Sequence, residues 1–181
     1  MSFANAISLA RLFTSPLIVW LILTGEMTFA FWVFLAAGVS DAIDGFIAKR
    51  IEKATVLGAY LDALADKALL VGVYVALGVE GHLELWLVIL VVFRDILIVG
   101  GAILFRLLTR TLTMQPLMVS KVNTVTQIVL ATVVLGRLGL DIAVDGVVMV
   151  LVYAVAATTL ASGGAYLFDW TRRAARMESP E

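Results

Sequence analysis

Six long apolar stretches, separated by short polar connectors, dominate the pattern of the chain. Each stretch has roughly the 20 mainly apolar residues that an α-helix needs to cross a bilayer. The connectors carry turn-forming residues such as Gly25 and Gly81. The pattern predicts an all-α integral membrane protein, a six-transmembrane-helix bundle that forms a single domain over residues 1–181. The helices are expected at about 7–24, 28–48, 57–78, 84–106, 119–139 and 146–169.

Cationic residues are distributed unevenly between the two sides of this bundle. With six spans, both termini and the connectors after spans two and four share one side of the membrane. The positive-inside rule assigns the side richer in Lys and Arg to the cytoplasm. The opposite connectors hold only Arg137, so both termini are predicted to be cytoplasmic. The cations on the predicted cytoplasmic side are Lys49, Arg50, Lys53, Arg106, Arg110, Lys121, Arg172, Arg173 and Arg176.

Composition narrows the chemistry that the chain can perform. At 62% hydrophobic and 15% charged residues, the chain is far more apolar than a typical soluble domain. It has no cysteine, which excludes disulfides and thiolate chemistry, and its single histidine, His82, excludes two-histidine metal sites. A formal net charge of −1 gives no support for a nucleic-acid partner. The N-terminus has no cationic segment before its first apolar stretch, so that stretch is expected to be a retained anchor.

Four aspartates flank the connector between the second and third predicted helices. Asp41 and Asp44 are three residues apart and Asp62 and Asp66 are four apart, so each pair projects from one helical face. If these faces meet, four carboxylates share one pocket at the cytoplasmic surface. Such a cluster would take up protons unless divalent cations kept it ionised, and carboxylate oxygens favour Mg²⁺, Mn²⁺ or Ca²⁺. The pattern predicts metal-dependent phosphoryl-type transfer to or from a phospholipid.

Other polar residues lie inside or beside the apolar stretches. A charge at the position of Arg94 costs roughly 2.5–3.5 kcal/mol on insertion scales, so a functional role is expected, the alternative being an ion pair with Asp95 that only fixes packing. Lys67 either neutralises the aspartates or binds substrate. The segment SKVNTVTQ presents Lys121 and Asn123 on a polar helical face, which either lines a pocket or supplies interhelical hydrogen bonds and a snorkelling lysine.

Residues 41–66 resemble the signature of CDP-alcohol phosphotransferases, which runs D-x2-D-G-x2-A-R-x8-G-x3-D-x3-D. The chain departs from it at Lys49, where the family has arginine, although Arg50 follows directly. The charge is kept there, but a bidentate guanidinium is not. The matching positions are Asp41, Asp44, Gly45, Ala48, Gly58, Asp62 and Asp66.

This resemblance implies a homodimer of six-helix subunits that moves a substituted phosphate from a CDP-linked donor onto an alcohol and releases CMP. It implies two Mg²⁺ or Mn²⁺ ions at the cytoplasmic face of the inner (plasma) membrane. By resemblance, Asp66 would also be the general base on the acceptor hydroxyl. The metal ligands would be Asp41, Asp44, Asp62 and Asp66, and the CDP moiety would contact Asp41, Gly45, Ala48, Lys49, Gly58 and Asp62.

The stretches NAISLARLFTSP, ALADKALL, FRDILIVGG and SKVNTVTQIVLA are similar to the branch that makes phosphatidylglycerophosphate and cardiolipin. With CDP-diacylglycerol as donor, the SKVNT segment favours phosphatidylglycerol as acceptor, and glycerol 3-phosphate is the alternative. The acceptor would be bound by Arg94, Lys121, Lys67 and Asn123. A small membrane transporter is the alternative of another class, but the carboxylates cluster at one surface instead of following a path through the bilayer.

Overall fold

In the computed structural model, the described residues form six α-helices, which confirms the all-helical prediction. It describes the backbone of residues 3–51, 56–109 and 118–177, and the side chains of residues 13–40, 67–101 and 118–172; these segments contain no strand. Helix ends lie within four residues of the predicted spans, except that α6 continues to Met177 because polar residues end an apolar stretch without ending a helix. In chain order the helices are α1 (Phe3–Leu23), α2 (Met27–Ile51), α3 (Val56–Val79), α4 (Leu85–Thr109), α5 (Met118–Leu140) and α6 (Asp145–Met177).

Two of the connectors turn at a glycine in the left-handed region. Gly25 follows α1 with φ 78°, and Gly81 follows α3 with φ 74°, a conformation that glycine adopts without steric strain. In both cases the N–H of the next residue donates to the carbonyl five residues earlier, at 2.9 and 2.8 Å respectively. This is the hydrogen bond of a Schellman motif, which satisfies a carbonyl at the end of the helix. After α5 the left-handed residue is Asp141, with φ 53°.

The chain divides into two compact units. Unit 1 comprises residues 1–85 and 131–145, and unit 2 comprises residues 86–130 and 146–181. Unit 1 therefore contains α1, α2, α3 and the C-terminal part of α5. Unit 2 contains α4, the N-terminal part of α5 and α6.

In unit 1, α1 packs against both α2 and α3. The helices approach closely at glycines, and a Cβ added to Gly72 of α3 would lie only 3.0 Å from Cγ2 of Val19 in α1. The end of α5 meets the start of α2, where Thr28 Oγ1 donates to the carbonyl of Gly139 at 2.7 Å. The buried apolar side chains of this unit include Ile18, Leu21, Ile22, Phe31, Phe34, Val73, Tyr74, Leu77, Val134 and Leu135.

The interior of unit 2 mixes apolar and polar side chains. Its helices approach closely near the end of α4, where the indole of Trp170 lies against Gly101. Trp170 also stacks at a tilt on Tyr166, with ring centroids 5.9 Å apart. The buried apolar residues include Leu87, Val88, Val91, Leu130, Val152, Val155 and Ala156, and the buried polar residues are Arg94, Asp95, Asn123, Gln127, Thr159 and Ser162.

Large apolar side chains also cover outward-facing surfaces of the helices. Within the described residues, two segments are long and apolar enough to cross a membrane, Met118–Leu140 and Asp145–Arg172. Shorter apolar segments occur at Phe13–Leu23, Met27–Ser40 and Lys67–Val79. Crossing by all six helices and the side on which the termini lie stay predictions. Outward-facing residues that are more than half exposed include Phe13, Trp20, Trp32, Phe93 and Phe168.

The adjacent glycines of α4 offer a test of the packing in unit 2. A Cβ at Gly101 would overlap the indole of Trp170, whereas a Cβ at Gly100 would meet no atom within 4 Å. We expect Gly101→Ala to lower the free energy of unfolding by about 1–3 kcal/mol through overpacking. We expect the control Gly100→Ala to leave it unchanged or raise it by up to about 1 kcal/mol, because alanine favours helix. Thermal unfolding in detergent measures both, and equal effects would contradict the contact.

Candidate functional site

The four aspartates of the signature lie on two helices of unit 1. Asp41 and Asp44 are in α2, and Asp62 and Asp66 are in α3. Four carboxylates form the hard oxygen donor set that Mg²⁺ and Mn²⁺ prefer, so the residue types fit the predicted metals. Elsewhere, among the side chains that the structure describes, no group of three His, Asp or Glu residues could hold a metal ion. The surroundings of the predicted metal- and CDP-binding residues lie outside the part of the chain whose side chains the structure describes. These residues are Asp41, Asp44, Gly45, Ala48, Lys49, Gly58, Asp62 and Asp66.

Arg94 links all three helices of unit 2. Its side chain is 3% exposed, and Nη1 donates to Oδ1 of the adjacent Asp95 at 2.6 Å. Nη2 donates to Oγ of Ser120 in α5 at 2.7 Å, and Nε donates to Oγ of Ser162 in α6 at 3.2 Å. Nη2 also donates to Ser162. The guanidinium has five N–H donors, and these contacts use four of them.

The contacts of Arg94 include the ion pair that the sequence offers as the alternative to a functional role. The ion pair with Asp95 is present, and two serines extend it into a connection between helices. A guanidinium without its partners would be costly in this buried position. Binding of an acceptor phosphate by Arg94 stays a prediction. The serine hydroxyls are the neutral partners that a phosphate oxygen could replace.

Asn123 lies at a second polar contact between α5 and α6. It is fully buried, and its Oδ1 accepts from Oγ1 of Thr158 and from Oγ1 of Thr159, both at 2.9 Å. Thr126 Oγ1 lies 3.0 Å from Thr158 Oγ1 and donates to the backbone carbonyl of Asn123 at 2.9 Å. Among the described side chains, Nδ2 of Asn123 is buried without a hydrogen-bond partner. The amide is therefore fixed in place by one of its two ends.

The two predicted lysines occupy different surroundings. Lys121 is exposed on α5, so it does not share the interior position of Asn123. Lys67 is partly buried on α3 in unit 1 and is not without an interaction partner. Of the four residues predicted to bind the acceptor, Arg94 and Asn123 are the two that the structure brings into the interior of one unit.

Four side chains that anchor these groups are absent from the sequence-based prediction. The sequence feature that could have identified them is the occurrence of small polar residues in otherwise apolar helical stretches. Such residues often form hydrogen bonds between membrane helices. In α6 they follow a helical spacing, with Thr158 and Ser162 four residues apart on one face. The four are Ser120, Thr158, Thr159 and Ser162.

Comparison with known proteins gives a consistent set of similarities. Residues 1–160 match the family described as CDP-alcohol phosphatidyltransferase. The chain is 35% identical to the CDP-diacylglycerol–glycerol-3-phosphate 3-phosphatidyltransferase 1 of rice chloroplasts, with 90% of this chain and 55% of the rice protein covered. It is 30% identical to the cardiolipin synthase (CMP-forming) of the rat, with 90% and 59% covered. The chain therefore spans little more than half the length of these relatives.

The ion pairs Arg94–Asp95 and Arg137–Asp145 differ in burial and test the role of Arg94. Replacing Arg94 with lysine keeps the charge beside Asp95 but removes the fork that reaches both serines. We expect Arg94→Lys to lower the free energy of unfolding by about 1–3 kcal/mol. The control Arg137→Lys alters the more exposed ion pair with Asp145. It should change the free energy of unfolding by less than about 1 kcal/mol. Denaturant unfolding measures both, and a small effect at each position would contradict the linking role.

Proposed function

Because the chain belongs to the CDP-alcohol phosphatidyltransferase family, we propose that it transfers a phosphatidyl group from CDP-diacylglycerol to a glycerol-type alcohol and releases CMP. The observation that carries this proposal is the aspartate signature at residues 41–66, which lies inside the matched range 1–160. The relatives' names agree with this reaction class, since both acceptors they name or imply are glycerol derivatives. A transporter would release no CMP, and the signature gives no reason to expect one.

We further propose that all six helices cross the inner (plasma) membrane, that both termini are cytoplasmic and that the active protein is a homodimer. The outward-facing apolar side chains and the two long apolar segments support a membrane location. The excess of Lys and Arg on one set of connectors supports the orientation. Catalysis would then occur at the cytoplasmic face, because the aspartate signature flanks a connector that the positive-inside rule assigns to that side. The homodimer rests on the family resemblance.

In the proposed reaction, the primary hydroxyl oxygen of the acceptor attacks the phosphorus that carries diacylglycerol. The bond from that phosphorus to the oxygen bridging the two phosphates breaks, and CMP leaves with this oxygen. Asp66 takes the proton of the attacking hydroxyl. Two Mg²⁺ or Mn²⁺ ions bound by Asp41, Asp44, Asp62 and Asp66 would neutralise the charge of the diphosphate and of the departing CMP. The CDP moiety would be bordered by Gly45, Ala48, Lys49 and Gly58, together with Asp41 and Asp62.

The preferred acceptor in this proposal is phosphatidylglycerol, which makes the product cardiolipin. The SKVNT segment at the start of α5 and the similarity to the rat cardiolipin synthase support it. Glycerol 3-phosphate is the second candidate, favoured by the 35% identity to the rice enzyme. The acceptor's phosphate, which both candidates carry, would be bound by Arg94, Lys121 and Lys67. Asn123 would contact the same acceptor molecule.

Acceptor profiling tests the proposed function directly. The purified protein in lipid nanodiscs is given CDP-diacylglycerol, Mg²⁺ or Mn²⁺, and one of four acceptors: phosphatidylglycerol, glycerol 3-phosphate, serine or inositol phosphate. We expect CMP release with a glycerol-type acceptor and most with phosphatidylglycerol. Strong preference for glycerol 3-phosphate would replace the acceptor and keep the reaction. No CMP with any acceptor would overturn the enzymatic function.

The role of Asp66 gives a second prediction. Asp66→Asn keeps the size of the side chain but removes its basicity and one negative charge of the metal site. We expect CMP release to fall by at least about 10²-fold, as for loss of a general base, with most donor binding retained. The control Asp141→Asn lies in an exposed turn with φ 53°, which asparagine tolerates, and should keep full activity. Near-normal turnover of Asp66→Asn would show that another group accepts the proton.

A further inference from the structure

The last helix of the chain is longer than its apolar part. α6 runs from Asp145 to Met177, which is about 48 Å at 1.5 Å per residue. Among its described side chains, the large apolar ones that face outward run from Val147 to Phe168, about 32 Å along the helix. This length matches the hydrocarbon core of a bilayer, which is about 30 Å thick. The helix then continues for about 14 Å beyond Phe168.

The continuation of α6 carries arginines close to the apolar part. Arg172 follows Phe168 by about one helical turn, or 6 Å, and its side chain is exposed. Arg173 and Arg176 follow on the same helix, whose backbone continues to Met177. The headgroup region adds roughly 5–8 Å to each side of the hydrocarbon core. With the apolar part of α6 in the hydrocarbon, the arginines therefore begin at the level of the lipid phosphates.

Positive charge is in excess at this end of the helix. Residues 169–177 contain three arginines against one acidic residue, Asp169. Asp169 is partly buried and is not without an interaction partner, whereas Arg172 is exposed. Glu178 and Glu181 follow Met177 in the sequence, so the excess is confined to the last turns of α6. These turns are thus a small cationic surface beside an apolar one.

The chemistry of this surface fits an anionic phospholipid. A guanidinium can bind two phosphate oxygens at once through parallel N–H donors. Phospholipids with a net negative charge are attracted in addition by the excess of positive charge, which zwitterionic lipids are not. The exposed apolar side chain of Phe168, one turn before Arg172, faces the region of the acyl chains. Headgroup and acyl chains of one lipid can therefore both contact α6.

We propose that the end of α6, residues 169–177, binds the headgroups of anionic phospholipids through Arg172, Arg173 and Arg176. This inference rests on the proposed membrane location of the chain. Under the proposed function, phosphatidylglycerol and cardiolipin are lipids of this class, so the surface would raise the concentration of acceptor and product around the enzyme. All the residues involved belong to one helix.

Enrichment of lipids around Trp170 tests this surface, because Trp170 lies two residues before Arg172. Its fluorescence is isolated by replacing the exposed Trp20, Trp32 and Trp86 with phenylalanine. The protein is placed in phosphatidylcholine nanodiscs with a minor fraction of phosphatidylserine, which is anionic and is not a candidate acceptor. One or the other lipid carries a nitroxide on an acyl chain near the headgroup, and the two degrees of quenching give the local fraction of phosphatidylserine. We expect this fraction to exceed the bulk fraction by roughly twofold or more.

Three variants of the single-tryptophan protein locate the source of the enrichment. The triple variant Arg172→Gln, Arg173→Gln, Arg176→Gln removes the charges and keeps good helix formers, and we expect it to lower the local fraction to the bulk value. The matched triple variant with lysine at the same positions keeps the charges and removes the guanidinium fork. The control Arg137→Gln removes a cation near the other end of α6, where Arg137 pairs with Asp145, and should keep the full enrichment.

Loss of the enrichment in the glutamine variant and its retention in Arg137→Gln support the inference. The lysine variant then separates two forms of it: retained enrichment means that charge suffices, and lost enrichment means that the guanidinium is required. If the single-tryptophan protein shows no enrichment, if the glutamine variant keeps it, or if Arg137→Gln loses it equally, the inference is wrong. The arginines would then serve only to orient the chain and to stabilise the C-terminal end of the helix.

The proposed function is measured separately, because quenching by phosphatidylserine needs no turnover. Absence of CMP release with any acceptor would overturn the enzymatic function and leave a lipid-binding surface on α6 in place. Absence of enrichment would overturn this surface and leave the enzymatic function in place.

Discussion

A buried polar side chain in this predominantly apolar helical chain needs hydrogen-bond partners on neighbouring helices, and unit 2 is built around that requirement. Arg94 shows it most clearly, since Asp95 balances its charge and Ser120 and Ser162 take up further N–H donors. Apolar contacts alone would let α4, α5 and α6 rotate or slide with little change in buried area. A guanidinium bonded to residues on all three helices favours the register in which these hydrogen bonds are made. These contacts direct Ser120 of α5 and Ser162 of α6 toward Arg94.

Close packing at glycines complements these polar links. In unit 1 the end of α5 meets the start of α2 at Gly139, where a Cβ would lie 2.7 Å from the carbonyl oxygen of Met27. The same approach lets Thr28 donate across the contact. Helices in an apolar environment are often joined in this way: small residues let the two backbones approach closely, and a hydrogen bond then forms between the helices.

The sequence predicts the helices well because apolar length and glycine turns are local properties. It also places the aspartate signature on α2 and α3. It could not identify the partners of Arg94, since Ser120 and Ser162 are 26 and 68 residues away along the chain. Nor could it separate Asn123 from Lys121, which share one polar segment. On a helix these two point about 200° apart, and only the packing of α6 decides which faces the interior.

The similarity to enzymes with different acceptors constrains where specificity can reside. A rice enzyme named for glycerol 3-phosphate and a rat cardiolipin synthase each align with 90% of this chain, at 35% and 30% identity. In the proposed function, the CDP donor is handled in the same way with either acceptor, so the signature on α2 and α3 would not distinguish the acceptors. The choice must then depend on side chains elsewhere, such as those predicted to bind the acceptor. The phosphate differs in charge between a monoester and a diester, so it is the part of the acceptor by which cationic side chains could tell the two apart.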